Sequence, residues 1–469
     1  MRFLLILTCV VILVSPTLNS FSLLTGGVRA SAPAQAEEPR ELEEFQGYLG
    51  PAPEGMDVRY AWTLEGGRGE NVKIVDIEFN WNLNHNDLAH ATANPFVLVR
   101  GIDPVPEFNL DHGTAVLGLL VAAPDGIGVT GIAHAAKLGL VNPLTQGTSP
   151  RLAEAINFAA RRMEAGDVML VELQSIAGPR FNTQNGSGLV PVEYEPDVYQ
   201  AIKDATSRGI VVVEASANGF ENLDDPVYSG AFDRNRKDSG AIIVGAGKPP
   251  GGGVYGEGPD RTRTEESNYG SRVDVQGWGR FVTTCGYGDL RREQGINNWY
   301  TINFGFTSGA AAMVAGVAAV VQSIVKARGQ APLPPTQLRQ LLASTGTPQA
   351  GDLSQNIGPR PNLRAAIEAL DAPNSGAEPK ITAVKYKRGA GKLILDGQNF
   401  LPNDSVIEID GTAIPRHKYP SNFFLPGGTT TRVMSKGNVS GLLPAGREVS
   451  LTVYTRSLDK RSAPVSFRP

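Results

Sequence analysis

Cysteine is almost missing from this chain: there are two in 469 residues, Cys9 inside an apolar N-terminal run and Cys285 far downstream. Once that run is removed, Cys285 has no internal partner, so a disulfide framework is excluded and packing must hold the fold. Histidine is also scarce, at five residues, and no His-Glu-x-x-His or paired-Cys pattern occurs. A catalytic metal is therefore not indicated. Charged residues make up 19% of the chain and the formal net charge is −4. That is too weak a field to draw the whole protein to nucleic acid. What is abundant is turn-forming and apolar: 54 Gly, 33 Pro and 41% hydrophobic residues. This composition excludes a coiled coil, a fibrous repeat and a largely unfolded chain.

The N-terminus reads Met1-Arg2, then an apolar run from Phe3 to Val14, then small residues ending in Ala34-Gln35-Ala36. Charge, apolar core and an A-x-A site in that order predict a secretory signal over residues 1–36, and so an exported, periplasmic or extracellular protein. A second apolar run, Gly309 to Val325, is rich in Ala and Gly and interrupted by Gln322. It is expected to be a central helix buried all round rather than a membrane span.

From about Asn71 the chain alternates short β-branched runs with helical patterns. The expected strands are Val72–Asp76, Ala136–Val141, Val168–Leu173, Ile210–Glu214 and Ala241–Gly245. Helices are expected over Arg151–Glu164 and Asp197–Ser207, each closed by a glycine. Strand-helix-strand repetition predicts an α/β fold, a parallel sheet covered by helices. After Leu370 comes a polar, turn-rich linker over residues 371–378, and residues 379–469 hold short alternating segments that read as a small β-sandwich. Residues 37–54 are expected as an N-terminal extension and 55–370 as the main domain. The charge divides at the linker: residues 379–469 carry 14 Lys and Arg against 6 Asp and Glu, a net of +8, while residues 37–378 carry 27 against 41, a net of −14. Mutual docking, solubility or contact with an anionic cell surface would each account for a basic tail on an acidic body.

Three residues stand at ends of expected elements. Asp76 closes the first strand, His112 opens the helical segment His112–Gly118, and Ser308 opens the apolar helix. In a parallel α/β sheet such positions form the ligand-binding crest. A serine hydroxyl is a poor nucleophile unless an imidazole takes its proton, and a buried carboxylate fixes the imidazole tautomer. Asn218, after the strand ending at Glu214, is placed to donate to a developing oxyanion together with the Ser308 N–H. The stretch Gly126-Ile127-Gly128-Val129-Thr130-Gly131 fits a dinucleotide pattern, but it follows a helix and leads into a strand, the reverse of a phosphate-binding turn.

These residues carry a resemblance. Asp76 with His85-Asn86-Asp87-Leu88 downstream, His112-Gly113-Thr114, Asn218-Gly219, and Thr307-Ser308-Gly309-Ala310 with Val314-Ala315-Gly316 resemble the subtilisin-like serine peptidases, from about Gly55 to Leu370. The resemblance implies the subtilisin-like α/β fold, a protein or peptide substrate, Asp76, His112 and Ser308 as charge-relay residues, and Asn218 as oxyanion donor. Calcium accompanies the family as a structural ion, and no acidic loop here has a spacing that assigns a site; no cofactor is required for the chemistry. The tail segments Leu393–Phe400 and Val406–Gly411 resemble an immunoglobulin-like IPT/TIG domain. A monomer is expected, with no nucleic-acid partner.

The chain also departs from the family. Phe306 stands where the family has Gly two residues before the serine, Ala312 replaces its Pro, Ser216-Ala217 replaces its Ala-Gly, and Glu172-Leu173-Gln174-Ser175 replaces its Ser-Leu-Gly-Gly substrate strand. Phe306 leaves a second reading open, a catalytically impaired scaffold acting as a surface-binding protein.

Overall fold

Continuous β-branched runs need cover on both faces, and the chain supplies it with helices on each side of one parallel sheet. The computed structural model describes residues 42–101, 110–144, 151–176, 178–180, 187–251, 258–371, 378–401, 404–414, 417–418, 430–456 and 460–469. The expected signal segment 1–36 and most of the linker lie outside the described residues, as do parts of the loops around residues 177–195 and 251–266.

The strands of the main body are β1 (Lys73–Ile77), β2 (Val97–Val99), β3 (Lys137–Val141), β4 (Val168–Val171), β5 (Gln174–Ser175), β6 (Val190–Pro191), β7 (Val211–Ala215), β8 (Ile242–Gly247), β9 (Val275–Trp278), β10 (Val282–Cys285) and β11 (Tyr300–Phe304). Its helices are α1 (Val58–Ala61), α2 (Ala89–Thr92), α3 (Asp111–Val121), α4 (Leu152–Ala160), α5 (Pro196–Ser207), α6 (Phe306–Ala327), α7 (Pro335–Thr345) and α8 (Leu363–Asp371). Among the described residues, seven strands form one sheet in the order β2-β3-β1-β4-β7-β8-β9, every pairing parallel. The pairs β5/β6 and β10/β11 are separate antiparallel ribbons.

Side chains alternate across the sheet, and the two cores follow that alternation. Ile74, Val211 and Val213 join α3, α6, α7 and α8 in one core, while Val75 and Val212 join α4 and α5 in the other. Helix α6 is the 22-residue apolar helix anticipated from the sequence, and it is buried inside the protein. It begins at Phe306, two residues before Ser308. The segment from Leu42, expected as an extension, packs into the same core: Tyr48 and Leu49 are buried, and Tyr48 meets the Trp278 ring edge-on.

The C-terminal region forms two antiparallel sheets. One contains β12 (Lys380–Lys387), β13 (Lys392–Phe400), β16 (His417–Lys418) and β17 (Thr430–Ser435); the other contains β14 (Ser405–Ile409), β15 (Thr412–Ala413), β18 (Val449–Thr455), β19 (Lys460–Arg461) and β20 (Val465–Phe467). Leu393 and Leu395 of the first share one core with Ile407, Leu451 and Val453 of the second. Two sheets joined by one core are the arrangement of a β-sandwich.

The position of α3 depends on a close approach to β10. A Cβ on Gly118 would lie 2.3 Å from the Thr284 hydroxyl and 2.9 Å from the Cys285 backbone nitrogen. Gly118→Ala is therefore expected to destabilise the protein by about 1–3 kcal/mol, the usual penalty for overpacking. Urea unfolding measures this, and a midpoint equal to that of the parent would remove the packing argument.

Candidate active site

Strand β1 ends at Ile77, so the next side chain on the α3 and α6 face is Glu78, at the carboxyl edge of the sheet. Glu78 Oε2 lies 2.5 Å from Nδ1 of His112, the second residue of α3. Asp76, expected to orient His112, is not the carboxylate in contact with it. The Asp76 side chain shares the face of Glu78 but lies inside the strand, fully buried, where its Oδ2 accepts from Trp81 Nε1 at 2.7 Å. The carboxylate in contact with His112 is thus a glutamate two positions on. Two carboxylates at i and i+2 was the available signal, and the strand's last residue decides between them.

Close packing brings the imidazole to Glu78. A Cβ on Gly113 would fall 2.2 Å from the Asn80 carbonyl oxygen and 2.9 Å from Glu78 Cγ, so only glycine lets α3 settle on this loop. Thr114 Oγ1 ties the same loop down by accepting from Asn82 N–H at 2.8 Å. On its other side the His112 ring meets Phe304 edge-on, with centroids 5.5 Å apart.

Ser308 is the third residue of α6, where first-turn N–H groups have no acceptor inside the helix. Phe306 N–H donates to Gly279 O at 2.8 Å, and Thr307 donates to Asn218 Oδ1 from its backbone N–H at 3.1 Å and its hydroxyl at 2.9 Å. With Oδ1 engaged twice, the amide nitrogen of Asn218 is the end left to donate elsewhere. The Asn218 backbone N–H is held by Gln174 Oε1 at 2.9 Å, and the following turn by Asn268 Oδ1, which accepts from Gly219 and Glu221. Thr307 and Gln174 thus position the predicted oxyanion residue, roles the sequence reading did not assign.

Asn218, Thr307 and Ser308 are brought together, and so are His112 and Glu78. Glu172, just past β4, is buried at the same edge of the sheet, and burial, then the Asp76 and Glu78 charges, raise its pKa well above the usual glutamate value against the Ser308 hydroxyl. Among the described residues no hydrogen bond joins His112 to Ser308; such contacts often tighten only when substrate binds.

The sequence model of the Subtilase family matches residues 67–361. The chain belongs to the subtilase family. Subtilisin DY of Bacillus licheniformis is 28% identical over 220 residues, which cover 43% of this chain and 72% of that protein. An intracellular serine protease of Paenibacillus polymyxa is 24% identical over 287 residues, 59% of this chain and 74% of that one. The solved structure of a serine protease of Aeromonas sobria aligns over 95% of this chain and 96% of that chain, with 17% identity and a TM-score of 0.49.

In this subtilase both departures from the expected glycines fall at left-handed backbone. Ala217 has φ +72° and Phe306 has φ +57°. Neither prevents the local bonds, since Ala217 O accepts from Asn268 N–H at 3.0 Å and Phe306 precedes the Thr307 contacts described above. The Phe306 ring is partly exposed and faces the Arg280 guanidinium at 4.8 Å, and Arg280 in turn bonds Glu266.

The electrostatics are those of crowded carboxylates. Burial works against the charged imidazole of His112, but the Glu78 charge and hydrogen bond, with Asp76 behind them, outweigh it and raise its pKa above the usual histidine value. Burial, then repulsion from Glu78, raises Asp76 well above the carboxylate range against the Trp81 hydrogen bond and the His112 charge.

Two predictions follow from these contacts. NMR titration of the His112 ring should show its pKa falling in Glu78→Gln, because the adjacent charge is gone, and by less in Asp76→Asn. Equal shifts in the two variants would contradict the assignment of Glu78 as partner. Ala217→Gly, which relieves a left-handed alanine, should raise the unfolding free energy by about 1 kcal/mol in urea. A loss of stability would show that the backbone there is unstrained.

Proposed function

We propose that this subtilase is an exported serine endopeptidase in which Ser308 attacks the peptide carbonyl, His112 takes the proton and returns it to the leaving amine, and Glu78 orients His112 and stabilises its cation. The observation that carries the reading is the 2.5 Å contact from Glu78 Oε2 to His112 Nδ1, at the crest where α6 presents Ser308. A carboxylate on Nδ1 leaves Nε2 as the nitrogen that works on the nucleophile. As the tetrahedral intermediate forms, its oxygen takes donors from the Asn218 amide and the Ser308 N–H. Collapse releases the amine and leaves an acyl-enzyme, which water hydrolyses by the same proton route.

The reading extends to the rest of the chain. Export follows from the N-terminal signal pattern, and the basic residues 379–469, an IPT/TIG-like sandwich, are assigned to contact with an anionic surface. The impaired-scaffold alternative rested on Phe306. The bonds of Phe306 N–H to Gly279 O and of Thr307 to Asn218 are made with the phenylalanine in place, which favours a competent site.

A fluorophosphonate probe should label Ser308 in the folded mature chain and fail to label Ser308→Ala or His112→Ala. Glu78→Gln should lose about 10⁴-fold in kcat, as expected when the orienting carboxylate is neutralised and the wrong tautomer results. Asp76→Asn should lose less than about ten-fold, because its carboxylate serves Trp81. A larger loss in Asp76→Asn than in Glu78→Gln would return the role to Asp76. The acid limb of kcat/KM should lie above the ordinary histidine pKa, because a raised pKa keeps the imidazole protonated to higher pH.

A further inference from the structure

The basic charge of residues 379–469 is distributed unevenly over the sandwich. On the second sheet cations and acids are matched: Arg461 bonds Glu408 at 3.0 Å, Arg447 lies 3.4 Å from Asp410, and Arg468 lies 4.0 Å from Glu448. On the first sheet, residues paired across strands share a face, so the register sorts its side chains. The outer face carries one acid among the described residues, Asp396, and both Arg432 and Lys385 engage it. One end of that face holds cations alone. Lys387 stands directly opposite Lys392, and Arg388 opens the short turn that joins their strands. Lys436 comes to the same end, two residues beyond Met434, the partner of Ile394. All four are exposed, and none makes an ion pair among the described residues. Like charges set directly opposite each other destabilise a sheet, and an external counter-charge would relieve them.

An apolar side chain accompanies this cluster. Val439 N–H donates to Gly391 O at 2.9 Å, which fastens the segment after β17 to the β12/β13 turn, and Leu442 in that segment is 44% exposed. We propose that this corner of the sandwich docks on a bilayer rich in anionic phospholipid, with Lys387, Arg388, Lys392 and Lys436 over the headgroup phosphates and Leu442 at the acyl boundary. The inference rests on the assignment of the tail to an anionic surface and is independent of the chemistry at Ser308. Clustered cations beside an exposed leucine are the combination that binds a membrane surface. Three of the four are lysines, whose ammonium groups act on phosphate as point charges and need no fixed fork geometry. A single-stranded nucleic acid fits less well, because such ligands stack on aromatic rings, and Tyr386, beside Lys387, packs against the sandwich core instead.

The test is sedimentation of the full mature chain with vesicles of equal parts phosphatidylglycerol and phosphatidylcholine. The parent should bind these, should not bind vesicles of phosphatidylcholine alone, and should be released by added salt. Lys387→Gln/Lys392→Gln/Lys436→Gln should bind roughly a hundred-fold more weakly, at about five-fold for each charge near the surface. Leu442→Ser should weaken binding and leave its salt dependence as in the parent. Arg447→Gln/Lys460→Gln/Arg468→Gln removes the same charge from the other sheet and should bind as the parent does. Circular dichroism establishes that each variant is folded. Equal losses in the two triple variants would overturn the inference in favour of net charge, and a parent that ignores anionic vesicles but captures DNA would overturn it in favour of nucleic acid. Fluorophosphonate labelling of Ser308 should be the same in the parent and in every variant. Labelled protein that binds no vesicle would therefore sink the docking surface alone, and folded protein that binds vesicles but takes no label would sink the peptidase reading alone.

Discussion

Helix α6 is buried on every side, and its small-residue surface lets the sheet and α3 close around it. A Cβ on Gly277 of β9 would stand 2.6 Å from Ala310 Cα, and one on Gly316 would stand 2.8 Å from Ile132 Cβ. These approaches leave no room for adjustment, since packed interiors transmit displacement rather than absorb it. Ser308 is therefore placed by the whole length of a helix that cannot slide. The Phe304 ring, four residues earlier, contacts His112 and lies 3.5 Å from where a Gly309 Cβ would be. The helices that carry Ser308 and His112 are thus held by one core.

The same closure forces carboxylates together. Asp76, Glu78 and Glu172 come from the ends of two adjacent parallel strands, and β1 pairs with β4 in a register that sets Asp76 opposite Leu170 and Ile77 opposite Val171. Low-dielectric surroundings strengthen both the attraction of Glu78 for His112 and the repulsion among the acids. Trp81 Nε1 offsets part of this at Asp76, whose Oδ1 has no partner. Local backbone strain accompanies this crowding, since left-handed Ala217 and Phe306 flank the two segments that meet at Asn218 and Thr307. Strain at such positions persists where surrounding bonds over-determine the backbone.

Much of this was legible in one dimension. Uninterrupted β-branched runs identified β1, β3, β4, β7 and β8 to within a few residues, because strands covered on both faces must be apolar throughout. Strand β9 and the β10/β11 ribbon escaped notice: their segments, Val-Gln-Gly-Trp and Val-Thr-Thr-Cys among them, mix polar residues into short runs with no clear period. His112, Ser308 and Asn218 could be singled out as candidates because each sits in a distinctive local string beside an element boundary.

The sequence by itself determined the α/β architecture and the burial of the long apolar helix, since both are written in periodicity or in contiguous residues. Only the tertiary structure decided which carboxylate meets His112. Asp76 and Glu78 have the same parity on the same strand, and the choice depends on where β1 ends and how closely Gly113 lets α3 approach. Glu172 likewise lies next to β1 only through pairing between strands almost a hundred residues apart, a relation that no local pattern records.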